Sequence, residues 1–135
     1  MNIWQLKNKI YKSIMNTRRP ILFKGYDPKT KKEVRGSLCL TPFGPFIEWY
    51  QHSIFNRVKV EPNSIKQFIG LKDRLNNCIF EGDLLQHIKT KVIYRVQFKD
   101  AAFYLSCKNS NVFMADINKL TIQGDCLKHW EIYKK

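Results

Sequence analysis

Residues Val60–Leu85 read VEPNSIKQFIGLKDRLNNCIFEGDLL, and nowhere else in the chain do turn residues, alternating apolar residues and paired charges follow one another so closely. Pro62 and Asn63 predict a turn, Ile65-Lys66-Gln67-Phe68-Ile69 a short strand, and Gly70 a break in it. Leu71 to Asn77 carries a reversal. Cys78-Ile79-Phe80 reads as a second strand, and Glu81-Gly82-Asp83 as a tight turn into a strand from Leu84 to Ile88.

Upstream, from Ile21, the apolar residues recur with a period of 2. Ile21 to Tyr26 predicts a strand, Asp27-Pro28-Lys29-Thr30 a turn with proline at its second position, and Glu33 to Leu40 the returning strand of a hairpin. The tip carries Lys29, Lys31 and Lys32, so it is solvated and positive; a solubilising loop is the ordinary reading and a contact site the sharper one. Thr41-Pro42-Phe43-Gly44-Pro45 reads as a rigid loop, and Phe46 to Tyr50 and Ile54 to Val60 as further strands. Phe43, Phe46, Trp49, Tyr50 and Phe55 are spaced as core aromatics usually are. The alternative is a stacking platform for bases.

Residues 1–19 follow a different rule. Ile3, Trp4, Ile10, Tyr11, Ile14 and Met15 recur at helical spacing with Lys7, Lys9 and Lys12 between them, which predicts an amphipathic helix. Arg18-Arg19-Pro20 ends it, because the residue before proline is pushed out of the helical region. Docking of its apolar stripe on the core or on another subunit is the ordinary expectation, and a free basic helix the rarer one.

Downstream, Lys91 to Phe98 alternates apolar and polar residues, Lys99 to Ala102 turns, and Phe103 to Cys107 returns. Lys108 to Asn111 reverses the chain before Val112-Phe113-Met114, and Asp116 to Leu120 reads as one helical turn. Leu120 to Asp125 and Trp130 to Tyr133 close the chain as short strands. No linker divides it, so the expected organisation is an N-terminal helix over 1–19 and a single β domain over 20–135.

The 135 residues leave room for one domain, and 44% hydrophobic content is enough to fold it. A formal net charge of +13 selects an anionic partner, of which nucleic acid is the commonest. Cys39, Cys78, Cys107 and Cys126 are widely separated, without a CxxC or a nearby histidine pair, so they read as reduced thiols rather than zinc ligands. Neither a signal peptide nor an apolar run of about 20 residues is visible. A cytoplasmic protein without a membrane span is expected.

Val60-Glu61-Pro62, Gln67-Phe68, Gly70-Leu71-Lys72-Asp73 and Ile79-Phe80-Glu81-Gly82-Asp83 resemble the YopX protein family of bacteriophages and prophages. The spacing from Gly70 to Asp83 fits that family's pattern without a gap. Upstream, Phe23-Lys24-Gly25 and Val34-Arg35-Gly36-Ser37-Leu38 look like its opening hairpin. At the reversal the family usually has Asn-Gly where this chain has Leu75-Asn76, and Asn76 is the non-glycine type that best tolerates positive φ. The resemblance implies a phage- or prophage-encoded protein, mainly β with a minor α component. It also implies a small SH3-like β-barrel with a hairpin extension, and self-association. It brings no established enzymatic activity.

Glu81-Gly82-Asp83 looks catalytic but is better explained as architecture, glycine allowing the bend and Asp83 bonding the backbone of its own turn. Gly70, Asp73 and Asn76 belong to the same structural motif. A nuclease or hydrolase using Asp73, Glu81 and Asp83 would need more converging ligands than these, and His52, His87 and His129 stand in separate segments. No metal or cofactor is expected. The candidate binding residues are therefore the cations Lys7, Lys9, Lys12, Arg18, Arg19, Lys24, Lys29, Lys31, Lys32 and Arg35. The expected function is non-enzymatic binding of nucleic acid through a basic surface. The alternative, of a different class, is an interaction module that blocks an acidic or nucleic-acid-binding host or defence protein.

Overall fold

A computed structural model describes residues 2, 3, 5, 21–107, 110–113, 122–123 and 126–134. They are mainly β, and they fall in two compact units, residues 1–67 and 68–135. Of the helix expected over 1–19, only residues 2, 3 and 5 are described. There the Gln5 N–H donates to Asn2 Oδ1 at 2.7 Å and the Asn2 N–H to Gln5 Oε1 at 3.0 Å, the reciprocal bonds of a capping box. The remainder of that expectation lies outside the described residues, as does the helical turn expected over 116–120.

The first unit is built from β1 (Phe23–Asp27), β2 (Lys32–Thr41), β3 (Gly44–Gln51) and β4 (Ile54–Lys59), each antiparallel to the next. Pro62–Ser64 forms a 3-10 turn, after which the first residues of β5 (Lys66–Lys72) pair with β1. The β1–β2 hairpin is closed by Asp27. Its Oδ1 accepts the Lys29 N–H and its Oδ2 the Thr30 hydroxyl, both at 2.9 Å. The Lys29 N–H and the Thr30 hydroxyl hold this carboxyl below its ordinary range against some opposing burial. The predicted loop at 41–45 is shorter than expected, because Thr41 already pairs with Gly44 and Leu40 with Pro45. Thr41 makes that possible: its hydroxyl donates to the Gly44 carbonyl at 2.8 Å and accepts the Phe43 N–H at 3.1 Å.

The two glycines of the family-like hairpin mark close approaches. β2 pairs with β1 up to Gly36 and with β3 from Ser37 onward. At Gly36 the strand bends so tightly that a β-carbon would lie 2.2 Å from the Glu48 carbonyl oxygen. At Gly25 it would meet the buried Val60 side chain at 2.9 Å. A side chain at Gly36 would overlap main chain, and one at Gly25 would force the buried Val60 to shift.

In the second unit β5 pairs with β6 (Cys78–Phe80), and β7 (Leu84–His87), β8 (Ile93–Lys99), β9 (Ala102–Cys107) and β10 (Ser110–Phe113) follow as an antiparallel meander. β11 (Ile122–Gln123) and β12 (Cys126–Leu127) form a short hairpin whose Cys126 pairs in parallel with Lys72, and β13 (Trp130–Ile132) returns to β7. Gly70 does not end its strand as predicted. It has φ +93° and lies where the β5–β6 register shifts between Phe68 and Lys72, so the chain passes through it as a bulge. The core gathers Ile69, Ile79, Leu85, Val96, Leu105, Leu127 and Trp130, with Leu71, Tyr94, Phe103 and Ile132 packed against it. Each fully buried aliphatic of this kind contributes about 1.5–3 kcal/mol.

The SH3-like barrel expected from the resemblance is not closed. Among the described residues β4 ends one ladder unpaired on its far edge, and the meander runs open from β10 to β13. The strands and turns follow the expected order, but among the described residues no pairing closes either sheet on itself. No helix among the described residues is long and apolar enough to cross a membrane.

Candidate nucleic-acid interface

The acids that looked most like a catalytic set are engaged in turns. Asp73 is 1% exposed. Its Oδ1 accepts the N–H groups of Leu75 and Asn77 at 3.0 and 2.9 Å, and its Oδ2 the N–H of Ile132 at 3.0 Å. That carboxylate folds the reversal, in which Asn76 takes φ +67°, and ties it to β13. Asp83 Oδ2 accepts the Phe80 N–H at 2.8 Å, while Gly82, with φ +86°, donates its N–H to Val96 O at 2.7 Å. The Glu81-Gly82-Asp83 turn is thus built as its residue types require, and Asp73 and Asp83 serve different loops. Among the described residues no three His, Cys, Asp or Glu side chains are grouped so that they could hold a metal ion.

The basic residues form a clearer pattern in the first unit. In a strand alternate residues face opposite sides. Ile47 of β3 is fully buried, so Phe46, Glu48 and Tyr50 face outward, and their antiparallel partners Lys59, Arg57 and Phe55 face outward with them. On β1 Gly25 and Asp27 are buried, which turns Lys24 outward beside its partners Lys66 and Arg35. Arg35 and Ser37 are two residues apart on β2, and Ser37 pairs with Glu48, so the two rows continue along the same side of that strand.

Contacts within this face hold the cations in place. The Arg57 guanidinium lies 4.1 Å from the centre of the Phe46 ring, and its Nε 3.2 Å from Glu48 Oε2. Glu33 bridges Lys24 at 3.4 Å and Arg35 at 2.9 Å. Burial acts to raise the Glu33 carboxyl, but the Arg35 hydrogen bond and the charges of Lys24 and Arg35 outweigh it and hold the group below its ordinary value. It therefore stays ionised at neutral pH and orients both cations. The Lys59 stem lies across Gly44, whose missing β-carbon leaves the room: a β-carbon there would be 2.8 Å from Lys59 Cε.

Of the sequence-predicted cations, Lys24 and Arg35 are adjacent on this face, and Lys29, Lys31 and Lys32 are exposed around the β1–β2 turn. Lys7, Lys9, Lys12, Arg18 and Arg19 lie outside the described residues. Sequence reasoning missed Arg57, Lys59 and Lys66 as a group with them, although period-2 alternation through IFNRVK would have set Phe55, Arg57 and Lys59 on one side. The expectation that the aromatics of 43–55 are core is not met: Phe43 is 80% exposed, Tyr50 72% and Phe55 51%. Phe46 and Trp49 are half-buried. Phe43 projects from the β2–β3 turn. Tyr50 and Phe55 occupy outward positions beside the β3–β4 turn, and among the described residues no further strand pairs beyond β4.

No curated protein matches the chain. Among solved structures it is similar in fold to protein EF1440 from Enterococcus faecalis, with a TM-score of 0.52 and 14% identity, covering 87% of this chain and 94% of that one. The family profile described as YopX protein matches residues 23–132, which span both the glycine-marked hairpin and the Gly70–Asp83 turn system. The chain therefore belongs to the YopX protein family.

Proposed function

We propose that this protein is a phage- or prophage-encoded, non-enzymatic accessory protein that binds nucleic acid through the outward face of β1–β4. The observation that carries the reading is the grouping of Lys24, Arg35, Arg57, Lys59 and Lys66 on one strand surface with outward aromatics beside them. Cations so grouped attract a phosphate backbone, release its counterions and bind with little regard to sequence. Glu33 and Glu48 reduce the net charge of the face but fix its geometry. The engagement of Asp73 and Asp83 in their own loops supports the non-enzymatic part. A gel-shift titration of DNA and RNA at two salt concentrations tests it: binding that weakens as salt rises is expected, and no binding at low salt overturns it.

A second reading is favoured by Leu40 and Phe43, 75% and 80% exposed at one hairpin end. It is a protein-interaction module that covers a host or defence factor. A host protein retained after nuclease treatment, and released by Leu40→Ser together with Phe43→Ser, would support it; retention unaffected by those changes would count against it.

A further inference from the structure

We infer that the Tyr50–Phe55 pair is a base-stacking site, so that the nucleic acid taken by this face is single-stranded. This rests on the nucleic-acid reading above and narrows it.

Tyr50 and Phe55 are direct cross-strand partners, with ring centroids 5.4 Å apart and planes inclined by 53°. They are 72% and 51% exposed although they are large and apolar, and burial of such rings is ordinarily worth kilocalories. The next row of the same face is Glu48 with Arg57, and the one after it Phe46 with Lys59. Rows of one face recur about every 7 Å along a strand. The aromatic row is thus followed by the ion-paired Glu48–Arg57 row and then by the row that carries Lys59, all on one antiparallel ladder.

That order fits a chain whose bases and phosphates are both accessible. A duplex presents phosphates but keeps its base faces stacked on one another, and a simple polyanion has no bases. Either could use Arg57 and Lys59, but neither has a use for two exposed uncharged rings. A single strand uses both, a base laid on the exposed face of Tyr50 or of Phe55 and its phosphate toward Arg57 or Lys59. The tip is also set in advance. His52 and Ser53 have φ +51° and +64°, the two left-handed residues of a type I′ turn, which fixes Tyr50 opposite Phe55 before any ligand arrives. Stacking reads the π-face that every base carries, so DNA and RNA strands are both accepted.

The test uses the full chain and four probes: labelled oligo(dT), oligo(U), a duplex of the same length, and heparin. Tyr50→Ala with Phe55→Ala should weaken both single strands about tenfold or more while leaving duplex and heparin within about twofold. Tyr50→Trp should keep single-strand affinity, and its fluorescence should be quenched by oligo(dT). Both side chains are exposed, so unchanged circular dichroism is expected of each variant. Equal losses on all four probes, or no loss on the single strands, would overturn the stacking site while leaving a basic surface intact. Absence of binding to every probe at low salt would instead remove the basic-surface reading, and the stacking site with it.

Discussion

Asp73 shows how much one carboxylate can organise in this chain. It accepts three backbone N–H groups, two from its own loop and one from Ile132, 59 residues away in sequence. Asparagine would keep an acceptor for Leu75 and Asn77 but turn an NH2 group toward the Ile132 N–H, donor against donor. Asp73→Asn should therefore cost about 2–3 kcal/mol, read as a lower urea midpoint at unchanged m-value. His87 sets a pH dependence of definite sign. Burial, then the neighbouring His129 and Lys89, lower its pKa from 6.5. Its Nδ1 also accepts the Lys89 and Thr90 N–H groups at 3.2 and 3.3 Å, which the protonated ring could not do. The unfolded chain takes up this proton at higher pH than the folded one, so the contribution is complete above about 6.5 and is lost as pH falls through the lower folded value. Thermal midpoints measured at pH 7.5 and 5.0 should fall more for the native chain than for His87→Gln.

At the scale of elements, turns decide the fold, and they differ in how openly the sequence announces them. The Glu81-Gly82-Asp83 bend and the Asp27 turn were legible because Gly, Asp and Pro each have one physical reason to stand where they do. The two-residue turns at His52-Ser53 and Asp100-Ala101 were harder to type, since both residues of each take positive φ without a glycine. An L-residue in that region costs about 1–2 kcal/mol, so Ala101→Gly should stabilise the β8–β9 hairpin by about 1 kcal/mol, measured by chemical denaturation. Loss of stability on that change would mean the turn is not type I′. Gly36 lies at the opposite extreme. Its β-carbon would overlap a main-chain carbonyl, so Gly36→Ala should cost about 3 kcal/mol or more, and wild-type stability would contradict the bend in β2. The failure of Gly70 to break its strand has the same origin as these successes: glycine permits positive φ, and only the partner strand decides whether that becomes an end or a bulge.

For the whole molecule, charge was legible and its placement was not. A count of +13 gives the sign of a partner. The clustering of Lys24 with Arg35 and Lys66, and of Arg57 with Lys59, depends on strand register, which no short-range pattern states. The closed barrel was overestimated for the related reason that pairing of distant strands leaves no local mark. If each of those five cations met a phosphate of a single strand, affinity would fall about a hundredfold between about 50 and 200 mM salt. The direct measurement is fluorescence anisotropy of a labelled oligonucleotide with the native chain and with Arg57→Glu/Lys59→Glu at both salt concentrations. The account predicts salt-sensitive binding by the native chain, weakened at least about tenfold by the charge reversal at low salt. Binding that is absent at low salt, or indifferent to the reversal, would contradict it.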